Sequence, residues 1–76
     1  MIVEGQEIDP GIIEWFTGYV LRQKEPFVAY EMERKAIRNG VLGAVAGRFV
    51  GRIFQKLRKA GKIRFAGGYW SVVEGE

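Results

Sequence analysis

Arg48, Arg52, Gln55 and Lys59 follow one another at intervals of four, three and four residues, with Lys56 and Arg58 between them. At about 100° per residue, those intervals place the four side chains in one line along a helix. Guanidinium and ammonium groups donate hydrogen bonds and carry fixed positive charge, and a glutamine amide both donates and accepts. Such a line is equipped to hold an extended anion. It would otherwise be a solvated helix face, so what lies around it decides between the two.

The surroundings favour the anion. Residues 47–70, GRFVGRIFQKLRKAGKIRFAGGYW, hold seven basic residues and no acid. The chain as a whole carries only +3, but unevenly: residues 1–33 have seven acids and two bases, and residues 34–73 have ten bases and no acid. A one-signed stretch of this length creates a directional field that attracts polyanions. The stretch is also rich in apolar residues, so it folds and is not a charged tail.

Other chemistries are poorly supplied. The 76 residues include no cysteine and no histidine, which removes disulfides, thiolate zinc sites and the usual near-neutral general base. Thr17, Ser71 and the three tyrosines offer hydroxyls without a clear carboxylate partner, and Glu31 and Glu33, two apart, face different directions on a helix. The expectation is a protein that is not an enzyme, with no cofactor and no metal. No apolar run approaches the roughly twenty residues of a membrane span. The opening MIVEGQEIDP lacks the basic start of a signal peptide, so a soluble cytoplasmic protein is expected. A single asparagine, Asn39, with no Cys or His would suit a thermophile. The length predicts one domain held by packing alone, and an apolar fraction of 47% with ten aromatic residues can supply the core.

The elements that must position the basic line follow from periodicity and breakers. Residues 1–8 read as an arm or a short strand. Asp9-Pro10 is a helix start, and Ile12, Phe16, Tyr19, Val20 and Gln23 predict a first helix over 10–24. Glu25-Pro26 stops it, Phe27-Val28 is a short extended piece, and a second helix spans 29–38 with Met32 and Ala36 inward. Asn39-Gly40 ends that helix. A third helix covers 43–60, with Ala46, Phe49, Val50, Ile53, Leu57 and Ala60 on one side and the basic line opposite. Gly67-Gly68 between two strand-like runs predicts a hairpin pairing Ile63 with Val72, Arg64 with Ser71, Phe65 with Trp70 and Ala66 with Tyr69. That register turns Ile63, Phe65, Trp70 and Val72 to the core and leaves Arg64, Tyr69 and Ser71 outside with Lys62. Residues 9–73 form the core of the single domain over 1–76, and 74–76 are a tail.

The Asn39-Gly40 turn between helices, the basic helix GAVAGRFVGRIFQKLRKAG and the hairpin KIRFAGGYWSVV after it resemble the winged helix-turn-helix family of DNA-binding domains. The resemblance spans about 9–73 and rests on pattern and topology. It implies an α+β winged helix: a three-helix bundle, a short strand between helices 1 and 2, and a C-terminal two-stranded β-hairpin wing. It implies a double-stranded DNA-binding protein, a small transcriptional regulator at the nucleoid, that lays helix 3 in the major groove. Arg48, Arg52 and Gln55 would then meet base edges, and Lys56, Arg58 and Lys59 phosphates. Lys62, Arg64 and Tyr69 would be wing contacts, and Arg34, Lys35 and Arg38 would hold flanking backbone. Homodimerisation would use helix 1 or the N-terminal arm. Gly43, Gly47 and Gly51 depart from a good helix at about 1 kcal/mol each. They ask for a compensating close approach, of a helix or of a phosphate backbone. The competing expectation is a winged-helix module that binds RNA, as part of a ribosome-associated assembly, or a protein partner.

Overall fold

The computed structural model describes residues 2–3 and 5–73. The elements are β1 (Ile2–Val3), β2 (Gln6–Glu7), α1 (Pro10–Leu21), α2 (Ala29–Arg38), α3 (Gly43–Lys59), β3 (Ile63–Ala66) and β4 (Tyr69–Val72). This is an α+β, winged-helix-like layout of three helices, an N-terminal strand pair and a C-terminal antiparallel hairpin. The tail expected at 74–76 lies outside the described residues.

Helix α1 starts where its cap demands. Asp9 Oδ1 accepts from the Gly11 N–H at 2.6 Å, and Pro10 fills the first helical position. It ends at Leu21, three residues short of the sequence expectation. Gln23 N–H turns to Val20 O at 3.2 Å, and the Gln23 side-chain amide donates to Tyr19 O at 2.9 Å. The last carbonyls are thereby satisfied before Pro26 can disturb them.

Helix α2 keeps the boundaries expected of it, and α3 ends one residue early. Both close in the same way. Gly40 N–H bonds to Ile37 O and Val41 N–H to Ala36 O, at 3.2 and 3.1 Å. Gly61 N–H bonds to Arg58 O and Lys62 N–H to Leu57 O, at 3.0 and 2.9 Å. Each is a Schellman closure, and in each case the chain turns directly into the next element. At the other end of α3, Leu42 has no side-chain cap of its own. The Gln6 side-chain oxygen, from β2, accepts the Leu42 N–H at 3.2 Å instead.

The hairpin has the expected register at all four pairs. Gly67 and Gly68 have φ of 62° and 86°, the two positive values that a type I′ turn requires. Phe27 exchanges two backbone bonds of 2.8 Å with Trp70, so the extended piece before α2 docks on β4. At the N-terminus the choice between arm and strand resolves as an antiparallel strand pair, with Ile2 opposite Glu7 and Val3 opposite Gln6.

One core joins every element. Helix α3 contributes seven buried residues, Val45, Ala46, Phe49, Val50, Ile53, Phe54 and Leu57. Phe16 of α1 meets Phe49 at 5.1 Å between ring centroids, and Phe54 meets Phe27 at 5.8 Å and Trp70 at 4.9 Å. Val3 and Ile8, each 1% exposed, seal the core from the N-terminal side. Two inward assignments fail, those of Ala60 and Phe65, and Ile37 is also left in water. Ala60 is exposed because it lies in the closing turn of α3. Ile37 is 45% exposed, on a side of α2 away from Met32 and Ala36. Phe65 is 56% exposed, because the hairpin leaves the core after Ile63 and only Trp70 follows it part of the way.

Because Phe49 is fully buried against Phe16, Phe49→Ala leaves a void in the centre of the molecule. A loss of about 3–5 kcal/mol is expected in urea unfolding, enough to unfold much of the population of so small a domain.

Candidate nucleic-acid interface

The outer face of α3 exists because the inner face is fully used. With Phe49, Val50, Ile53 and Leu57 committed to the core, the residues half a turn away point to solvent. Arg48, Arg52, Gln55, Lys56, Arg58 and Lys59 are all exposed. Arg48, Arg52, Gln55 and Lys56 line one open groove of about 940 Å³ with Gly47, Gly51 and Val3. The far wall is β1, a feature that the sequence reading left open.

Two side-chain contacts bear on the groove. An Arg52 guanidinium N–H points at the Ile2 carbonyl at 3.4 Å, too long to be strong. Arg58 donates to the Gln55 side-chain oxygen at 3.0 Å, which orients that amide with its NH₂ outward. The glycines divide by role. A Cβ at Gly47 would stand 3.6 Å from the Glu33 carboxylate, so α2 comes close at that point. A Cβ at Gly43 would stand 3.9 Å from Ile37 Cδ1. A Cβ at Gly51 would meet nothing within 4 Å. These are ordinary van der Waals distances, so packing against α2 requires glycine at neither Gly43 nor Gly47, and Gly51 has no neighbour at all inside the protein.

The remaining site residues form two other groups. Lys62, Arg64 and Tyr69 are exposed on the hairpin, and Lys62 is joined to the end of α3 by its bond to Leu57. Arg34, Lys35 and Arg38 gather with Tyr19 and Glu31 around a shallow depression of about 300 Å³ at the boundary of α1 and α2. Lys35 Nζ lies 5.3 Å from the centre of the Tyr19 ring, and the Arg34 guanidinium lies 5.9 Å from that of Tyr30. This depression shares no lining residue with the groove, so the cations of α2 and those of α3 line different concavities.

Among the described residues, no group of three or more His, Cys, Asp or Glu is placed to hold a metal ion, and no helix is long and apolar enough to cross a membrane. Comparison with protein-family models, curated protein sequences and solved structures finds no match.

The contrast between glycines is measurable. Gly51→Ala should raise stability by up to about 1 kcal/mol, because the helix gains propensity and the methyl group meets open space. Gly68→Ala, at φ of 86°, should lower stability by about as much. Thermal melts of the two variants check both signs.

Proposed function

We propose that this chain binds double-stranded DNA through the outer face of α3 and the β3–β4 wing, as a small transcriptional regulator that acts by occupying its site. One observation carries the reading: four polar and cationic side chains of α3 line a single open groove, within a stretch of forty residues that contains no acid. Phosphate contacts from such a surface supply affinity, and base edges supply selectivity.

A B-DNA major groove is about 12 Å wide and accepts one helix. Strand β1 flanks Arg48 and Arg52, so the half of α3 carrying Gln55, Lys56, Arg58 and Lys59 enters deepest. Gln55, its oxygen held by Arg58, presents its NH₂ group and suits an acceptor on a purine edge. Arg52 exchanges its long bond to Ile2 for a guanine edge or a phosphate at little cost. Gly51 lets the backbone of α3 approach the ligand without a side chain between them. The wing cations Lys62 and Arg64 meet the adjoining phosphates. Arg34, Lys35 and Arg38 serve a flanking strand only where the ligand bends around the body. The acidic N-terminal part, net −5 over residues 1–33, is left for protein contacts, including a second copy.

Titration of mixed-sequence duplex DNA at several salt concentrations tests the proposal. Affinity should fall steeply and linearly with salt on logarithmic axes. Lys59→Ala should weaken all sequences alike and reduce the slope by about one. Arg52→Ala should cost about 1–3 kcal/mol and relax preference at one base pair. Gly51→Ala should weaken binding while raising the melting temperature, a pairing of signs that a purely structural glycine cannot give. Preference for A-form RNA over duplex DNA at equal salt would overturn the major-groove reading, since side chains cannot enter the deep RNA groove.

A further inference from the structure

The tip of the wing has a feature that groove binding does not use. Phe65 and Tyr69 are 56% and 53% exposed, two rings left in water four residues apart across one turn. In the hairpin register Phe65 opposes Trp70, and Ala66 opposes Tyr69. Neighbouring pairs point to opposite faces, so Phe65 lies on the face of Trp70, and Tyr69 on the face of Arg64 and Ser71. Between them the chain is Ala66-Gly67-Gly68, and a Cβ on either glycine would meet nothing within 4 Å. The tip is a thin blade with one aromatic ring on each side.

Phe65 is also held in place. Its ring lies 5.1 Å from that of Trp70, which lies 4.9 Å from Phe54, which lies 5.8 Å from Phe27. This series of rings runs back into the core and fixes an apolar ring in water in one pose. Lys62 and Arg64 stand at the base of the blade, and no acid occurs from residue 34 to 73. The matching partner has flat apolar faces carried on a negatively charged scaffold, which describes a nucleobase. Two rings on a glycine turn are too small for a stable protein interface, which needs about 1,200 Å² or more. In a closed duplex every base face is covered by its neighbour, except at an end or an opened step.

We propose that the wing tip is a stacking site for unpaired nucleobases, with Phe65 on one side of the blade and Tyr69 on the other, so that the protein favours duplex DNA with an opened end. This rests on the DNA-binding reading above and adds a preference among DNA structures. Base–aromatic stacking tolerates any sequence, because every base has a π face.

The test compares a blunt duplex with the same duplex carrying a forked, unpaired end, with 2-aminopurine at the first unpaired position. The fork should bind more tightly, and the 2-aminopurine emission should fall on binding. Phe65→Ala should weaken fork binding about five- to hundredfold and leave blunt-duplex binding nearly unchanged, and Phe65→Tyr should restore it. A melt of Phe65→Ala checks the fold, and Phe65→Leu, which keeps an apolar side chain beside Trp70 but no ring to stack, gives a second reading. Equal affinity for fork and blunt duplex, or equal loss on both in a folded variant, overturns the stacking site and leaves DNA binding standing. No binding to either DNA at low salt sinks both. Sedimentation showing self-association that Phe65→Ala abolishes would assign the tip to a second copy of the chain.

Discussion

The structure depends on the removal of one stripe of α3 from water. Phe49, Val50, Ile53, Phe54 and Leu57 are the surface on which the other elements settle: α1 through Phe16, the wing through Trp70 and the extended piece through Phe27. A chain with no cysteine or histidine has no disulfide and no thiolate or imidazole metal site to supplement it. No polar or charged residue is buried among the described residues, so the core carries no desolvation penalty.

The same commitment defines the outer face. A helix cannot turn one side inward without turning the other outward, and the spacing that drives burial also aligns Arg48, Arg52, Gln55 and Lys59. Folding and the display of charge are therefore one event. The fold also has to keep seven like charges within residues 47–70. It does so by leaving them exposed, where water and salt screen their repulsion.

Much of this was legible in the sequence, for identifiable reasons. Breakers with a single meaning, such as Asp9-Pro10, Asn39-Gly40 and Gly67-Gly68, placed helix ends and the hairpin turn to within a residue or so. Periodicity found most of the core side of α3 but not Val45 and Phe54, which widen the buried stripe, Phe54 to meet Phe27 and Trp70. The N-terminal pair was not decided, because two-residue strands carry no detectable alternation; only Gly5, between Val3 and Gln6, marks a turn. That pair supplies the far wall of the groove. Phe65 was misjudged because register tells which way a side chain points and not how far the core extends beneath it. A pattern of charges also gives no hint that Arg34, Lys35 and Arg38 line a different concavity from the groove, since that follows from how α1 packs beside α2.

The closure of α3 by Lys62 has a mechanical meaning. The wing begins at the residue whose N–H is tied to Leu57, and β4 is tied to Phe27 on the body. No slack joins helix and hairpin, so they form one stiff caliper. The interval between the positive charges of α3 and the tip at Gly67-Gly68 is thus set by the fold. A partner that touched both would have to match that gauge, in span as well as in charge.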